Sequence, residues 1–286
     1  MKTSHMICLL ALAILAGCNR APQTTSAPAH ERVVSLAPNL TEIMCAIGAG
    51  DLMVGRTSAC DFPPSAQHIP VIGGFGDPSV ELLVASKPTL ILDVALADES
   101  IGRKIESLGL RRQRIPCTRL SEIPQAVIDV GRLVHHETQA NPLANDLKTR
   151  LCALQIAAQA VSHPPRVFVE IWCDPLMTAG TNSFLSELVS LAGGKNIGDE
   201  VPKEYFEVSS EWVIDRQPDV VLCLYMSANK SVRELVMHRP GWKSIPAVYS
   251  GRVYDGFDNN MILRPGPRVL DSIAALHRCI AGPPAP

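Results

Sequence analysis

Along this chain the apolar positions switch from strand-like to helix-like spacing and back, and they do so twice in the same order. Arg32-Val33-Val34-Ser35-Leu36 reads as a buried strand, and a helical period follows as far as Gly48-Ala49-Gly50, with Asn39 or Thr41 placed to cap it. Leu52-Met53-Val54-Gly55 then reads as a second short strand. The order returns with Arg166-Val167-Phe168-Val169-Glu170 as strand, a helix through Phe184-Leu185-Ser186-Glu187-Leu188, and Ala192-Gly193-Gly194. Glu42 lies six residues before Gly48, and Glu187 six before Gly193.

A tighter repeat follows in each half. Ser79, Glu81, Pro88 and Leu90-Ile91-Leu92 recur as Ser209, Glu211, Pro218 and Val220-Val221-Leu222, with identical internal spacing at an offset of 130 residues. Each copy predicts a short helix with a glutamate in its first turn, a proline stop and a buried strand. A first-turn acid offsets the helix dipole by about 0.3–1 kcal/mol, which accounts for either glutamate singly. The shared motif points further, to a duplicated fold presenting two matched acids that orient a partner. Strands separated by helices predict parallel pairing and an α/β layer in each half.

Between the halves, Ser121 to His136 and Asn141 to Ser162 have a helical period. Asn141 reads as the N-cap of the second helix and Pro142 as its first residue, with Leu143, Leu147, Leu151 and Leu154 at three-to-four spacing. At 1.5 Å per residue it reaches about 30 Å, enough for one rigid helix to bridge two lobes. The expected layout is a lobe over 32–136, an interlobe helix over 137–163 and a second lobe over 164–286. An ordinary surface helix of the first lobe is the alternative.

The N-terminus changes the picture of where the protein works. Lys2, the apolar Met6 to Ala16 and Leu15-Ala16-Gly17-Cys18 read as an export signal over 1–17, too short to span a bilayer. It resembles the bacterial lipoprotein signal, which implies acylation of Cys18 and a lipid anchor; an ordinary secretory signal with an incidental cysteine is the alternative. Residues 18–31 are small, polar and proline-bearing, and read as a flexible tether. Loss of Lys2 with the signal takes the formal net charge from −2 to −3, and such a chain without basic runs is a poor nucleic-acid binder.

Candidate chemistry is sparse. The sequence has no Gly-x-Ser-x-Gly elbow and no phosphate loop, and Gly73-Gly74-Phe75-Gly76 lacks the context of a dinucleotide fingerprint, so neither catalysis nor a cofactor is expected. No His-x-x-x-His or Cys-x-x-Cys spacing suggests a resident metal. Of nine cysteines, seven remain after Cys8 and Cys18, an odd number that leaves one without a partner in the chain. Aromatic residues make up only 5% of the chain, and Phe62, Phe75, Trp172, Tyr205, Phe206 and Phe257 sit where strands end or helices begin. In open α/β sheets that is where ligands bind, so these rings are placed to line a cleft; the alternative is that they plug the lobe cores.

Several segments together carry a family resemblance. They are Arg32 to Glu42, Cys60-Asp61-Phe62-Pro63-Pro64, Gly73 to Glu81, Lys87-Pro88, Glu170-Ile171-Trp172, Pro175 to Gly180, Leu191 to Ile197 and Arg264-Pro265-Gly266-Pro267-Arg268. The chain resembles the cobalamin-binding branch of the ABC-transporter substrate-binding proteins from about residue 32 to 280. That resemblance implies two Rossmann-like α/β lobes joined by a long rigid helix, the class III helical-backbone architecture, with a corrinoid held in the cleft. It implies ligand contacts from Phe75 and Tyr205, and from Asp61, Trp172, Met177 and Phe257 on other cleft-facing segments. It implies that Glu81 and Glu211 dock onto arginines of a permease dimer carrying ATPase subunits. Phe75 and Tyr205 stand where the best-known members have tryptophan, and Ala59 where a tyrosine can occur, so cobinamide is as admissible a ligand as cobalamin. Cys60 reads as a structural thiol ahead of a cobalt ligand. The expectation is an exported, lipid-anchored receptor of an importer. An iron-siderophore or haem receptor is the runner-up, and an enzyme or structural lipoprotein on a duplicated scaffold is the reading from another class.

Overall fold

The apolar runs at 33–36 and 90–92 become the central strands of a parallel sheet, and the rest of the first half is arranged around them. A computed structural model describes residues 31–94, 98–225 and 232–282. The export signal, Cys18 and all of the tether but Glu31 lie outside the described residues. In chain order the first half contains β1 (Val33–Ser35), α1 (Pro38–Ala46), β2 (Met53–Arg56), a small hairpin of β3 (Gly73–Gly74) and β4 (Asp77–Pro78), α2 (Val80–Ser86), β5 (Leu90–Asp93), α3 (Glu99–Ser107) and β6 (Arg112–Arg114). The sheet order is β2-β1-β5-β6, and every pairing is parallel. Val33, Val34, Leu90, Ile91 and Leu92 are fully buried, as strands covered on both faces require.

Next come α4 (Ile123–Leu133) and α5 (Glu137–Gln159). The second half contains β7 (Arg166–Cys173), β8 (Leu176–Ala179), α6 (Phe184–Leu191), β9 (Lys195–Asn196), β10 (Tyr205–Glu207), α7 (Ser210–Arg216), β11 (Val220–Cys223), α8 (Val232–Met237), α9 (Pro246–Tyr249), β12 (Val253–Tyr254), α10 (Asn259–Ile262) and α11 (Val269–Ile280). Its sheet runs β10-β8-β7-β11-β12, with β9 also on β7. Here the all-parallel expectation fails. β8 runs antiparallel to both of its neighbours, β7 and β10, because the Asp174-Pro175 turn folds the chain straight back after a strand that extends to Cys173 and not only to Glu170.

The duplication is exact down to the caps of α2 and α7. The Ser79 and Ser209 hydroxyls accept from the backbone N–H of Leu82 and Trp212, and Lys87 and Gln217 close the helices in the left-handed region at φ 47° and 43°. Ahead of the following strands, the N–H of Arg32 donates to Thr89 Oγ1, and that of Arg166 to Asp219 Oδ2.

Two helix starts differ from expectation. Neither Asn39 nor Thr41 caps α1, which begins at Pro38 with its φ already set for a helix. The Asn39 amide instead donates to the carbonyls of Cys117 and Pro265, and Thr41 to Ser35 Oγ. The bridging helix begins at Glu137, and Pro142 lies inside it. Packing explains why the helix runs through a proline that removes one hydrogen bond. Ala140, Ala144, Leu147 and Leu151 are buried, and a Cβ on Gly131 of α4 would stand 2.3 Å from that of Ala140. Those α5 residues belong to one apolar cluster that also holds Val33 and Leu40 of the first half and Val167 and Leu188 of the second. Separate clusters cover the outer sheet faces, around Leu83 and Ile91 in one half and Val213 and Val221 in the other.

Candidate functional site

The β7–β8–β10 unit gathers three of the expected ligand contacts. Trp172 lies opposite Met177, Met177 opposite Glu207, and Tyr205 follows two residues from Glu207 along the same strand. Residues paired across a sheet share a face, as do residues two apart, so Trp172, Met177 and Tyr205 project together. A bulge between Glu170 and Trp172 is what allows this: it shifts the register by one residue, leaving Glu170 opposite Thr178 in the interior while Trp172 turns outward. Trp172 is 45% exposed and Tyr205 36%, so this is an open aromatic surface. Burial around its hydroxyl, with the Glu204 charge adding, pushes the Tyr205 phenol up to about 12, so it stays neutral and donates.

A buried polar stack supports that surface. The Trp172 indole N–H donates to Asp174 O at 2.7 Å, and its ring lies 6.4 Å from that of Tyr225. The Tyr225 hydroxyl donates to Glu170, whose carboxylate is fully buried and takes a two-pronged grip from Arg239 at 2.6 and 2.8 Å. Arg239 in turn lies 4.2 Å over the Trp242 ring. Burial and the Glu170 charge both push the Tyr225 phenol up, so this hydroxyl remains a donor. Glu170, at the end of the expected strand and in the Glu170-Ile171-Trp172 segment, was the one sequence signal of this network, and neither Tyr225 nor Arg239 had any local mark.

The loop of the first half that carries Asp61 meets the second half directly. Asp61 accepts from Arg264 Nη1 at 2.6 Å and from the Asn260 amide at 2.9 Å, and Arg264 also donates to Ala59 O. Burial raises the Asp61 carboxyl, but the Arg264 hydrogen bond and charge, its own backbone N–H and Arg268 together bring it below its ordinary value. Arg268 lies 3.8 Å over the Phe62 ring and binds Glu42 with both arms, at 2.8 and 2.7 Å. Phe257 follows β12, half-buried against the shared core beside Asp258, a further partner of Arg268. Phe75 sits on a third segment, at the tip of the β3–β4 hairpin, 55% exposed. The expected ligand residues therefore come from three parts of the fold: Trp172, Met177 and Tyr205 from the β7–β8–β10 unit; Asp61 and Phe257 from segments that share Arg268 as a neighbour; and Phe75 from the β3–β4 hairpin. Phe62, Arg264 and Arg268 join the second group, although only the Pro-Gly-Pro flanked by two arginines marked that stretch in the sequence.

Glu81 and Glu211 are both exposed on the first turns of α2 and α7. Each carboxyl is lowered by its own backbone N–H and by the capping serine, so both are ionised at neutral pH. A cavity of about 770 Å³ lies elsewhere, between α4, α5 and α6. It is lined by Ile128, Leu151 and Leu191 among polar groups such as Lys148, Gln155 and Glu187, and none of the expected ligand residues borders it. Among the described residues no helix is long and apolar enough to cross a membrane, and no group of three or more metal-ligating side chains converges.

Comparison with known proteins gives this arrangement its context. The chain is 32% identical to a vitamin B12-binding protein of Yersinia pestis over 70% of its own length and 71% of the relative's. The periplasmic vitamin B12-binding protein BtuF of Vibrio cholerae superposes with a TM-score of 0.76 at 26% identity, covering 88% of this chain and 96% of that one. The periplasmic heme-binding protein RhuT of Roseiflexus superposes equally well, with a TM-score of 0.76 at 26% identity over 88% of this chain and 98% of that one. These two-lobed class III structures share its α/β architecture. Residues 33–259 match the periplasmic binding protein model, and the chain belongs to that family of ABC-importer substrate-binding proteins.

Proposed function

We propose that the chain is the substrate-binding lipoprotein of an ABC importer that takes up a corrinoid, cobalamin or cobinamide. The ligand would sit between the lobes, held by aromatic and apolar contact with a few polar groups fixing its orientation. The observation that carries this reading is the outward face of Trp172, Met177 and Tyr205. It is a flat apolar platform with a neutral phenol at one edge, which suits a large planar macrocycle decorated with amides. Phe75 would contribute from the first half, Phe257 from beside β12, and Asp61 would offer a carboxylate acceptor at the rim. The two B12-binding relatives support the same ligand class.

A haem or iron-siderophore ligand is the second reading, favoured by the equal likeness to a heme-binding structure. On either reading the protein is a receptor without catalytic chemistry or a resident cofactor. It is exported, anchored through Cys18 in the segment outside the described residues, and delivers its ligand to a permease dimer with ATPase subunits. Glu81 and Glu211 would meet cationic groups on the two permease subunits.

Titration of residues 19–286 with cyanocobalamin, cobinamide, haem and a ferric siderophore tests the ligand. Saturable binding of a corrinoid, weakened by Trp172→Ala and Tyr205→Ala, is the expected result. Saturation by haem alone would replace the first reading with the second.

A further inference from the structure

The two matched helices carry the same glutamate but unlike surroundings. At an offset of 130 residues Leu82 corresponds to Trp212, Leu83 to Val213 and Val84 to Ile214. Leu83 and Val213 are both fully buried, so the helices sit on their sheets in the same way. The outward positions differ. In α7 the Trp212 ring is in contact with Phe206, at 5.8 Å in a T-shaped arrangement, and with the Arg216 guanidinium, which lies over it at 3.8 Å. Ile214 packs into the outer core of the second half, against Gly241.

In α2 neither cover exists. The position of Phe206 is Gly76, which turns the β3–β4 hairpin at φ 75°, and the position of Arg216 is Ser86. Leu82 is consequently 47% exposed, and Val84, where the second copy has Ile214 packed into its outer core, is 47% exposed as well, with Ala85 beside them also exposed, on the helix that presents the ionised Glu81. The second copy shows that this fold can cover these positions. Their exposure in the first copy is a property of its sequence, not a demand of the architecture.

From this contrast we infer that the two feet of the receptor grip the permease unequally. The α2 foot presses Leu82 and Val84 into an apolar surface of one permease subunit next to the cation that meets Glu81, while the α7 foot docks through Glu211 by charge. This rests on the docking role given to the paired glutamates above. The occupant follows from the chemistry of the face: an exposed carboxylate bordered by aliphatic side chains fits a protein surface that offers a cation within an apolar patch, and the importer's permease is the protein partner this family uses. A two-fold permease would then receive one apolar and one polar foot, and most of the binding energy that salt cannot screen would come from the first half.

The test compares the wild-type full chain, Leu82→Gln with Val84→Gln, and Glu81→Ala with Glu211→Ala, for binding to the cognate permease–ATPase complex in nanodiscs at low and high salt. The Leu82/Val84 variant is expected to bind about tenfold or more weakly at both salt levels, because apolar contact is not screened. Its ligand titration should be unchanged, since neither residue is placed in the ligand site. Binding within about twofold of wild type, with the glutamate variant impaired, overturns this inference and leaves the glutamate docking standing. If the glutamate variant docks like wild type while the Leu82/Val84 variant is weakened, the paired-glutamate reading fails and the apolar foot remains. Self-association of the wild type that the Leu82/Val84 variant loses would assign the face to a second copy and also overturn the inference.

Discussion

Glu42 and Glu187 occupy matched places in the two halves, each on the first helix of its half, and each reaches across to arginine in the opposite half. Glu42 binds Arg268 with both oxygens and has Arg264 at 3.5 Å, its side chain only 3% exposed. Glu187 accepts from Arg119 at 2.5 Å and from the Leu120 backbone N–H at 2.8 Å, with 24% of its side chain exposed and 37% of that of Arg119. The halves are thus joined by two reciprocal clasps, one dry and one wet. Duplication supplied the glutamates, but the strength of each clasp was set afterwards by what covers it. The dry clasp lies against the loop that carries Asp61 and Phe62, so the better-fixed junction is the one nearest the expected ligand contacts. Together with the apolar cluster shared through α5, the two clasps argue for lobes that move little against one another.

The contrast can be broken by removing each acid. Glu42→Ala leaves the Arg268 guanidinium, 16% exposed, with only the solvent-exposed Asp258 at 3.4 Å, and breaking a largely buried pair costs about 3–5 kcal/mol. Urea or thermal unfolding of the described fold should show that loss. Glu42→Gln, which keeps the volume and the acceptor oxygen, should fall between it and wild type. Glu187→Ala removes a partly solvated pair and one acceptor from a backbone N–H, for about 1–2 kcal/mol. Equal losses at the two sites would show that burial does not separate the clasps and would undo the distinction drawn between them.

The glutamates were legible and their partners were not, and the reason is range. Six-residue spacing to a glycine is a local pattern, whereas Glu42 finds Arg268 at a separation of 226 residues and no periodicity reports such a pairing. The paired Ser-x-Glu helices were legible in full, because caps, stop and strand all lie within fifteen residues of one another. Strand extent was less so. The sequence marks Arg166 to Glu170 as strand, but whether Ile171-Trp172-Cys173 continues it depends on β8 returning alongside, and that return flips Trp172 to the outer face. Pro142 misled for a related reason: its preference for a helix start is a tendency, and the close contact of Ala140 with Gly131 outweighs it. Tyr225 and Arg239 lie on separate segments that only the tertiary fold brings to Glu170.

The smallest effect sharpens the comparison at its solvent edge. Asp61 extends the dry clasp outward through Arg264, and its side chain is 41% exposed, so screening holds its contribution below about 1 kcal/mol. Its folded carboxyl titrates below its ordinary value of 3.8: burial raises it, but the Arg264 hydrogen bond and charge, its own backbone N–H and the Arg268 charge together outweigh that cost. A lowered carboxylate stabilises the fold above its unfolded pKa, and that contribution disappears as the pH falls through the folded value. Asp61→Asn without ligand should therefore be slightly less stable than wild type at pH 7, and the two should converge only below about pH 4. A stability difference that persists unchanged into that acid range would mean that Asp61 acts through shape and neutral hydrogen bonds, as Asn260 does from the other side, and that the charge on this edge of the clasp contributes nothing.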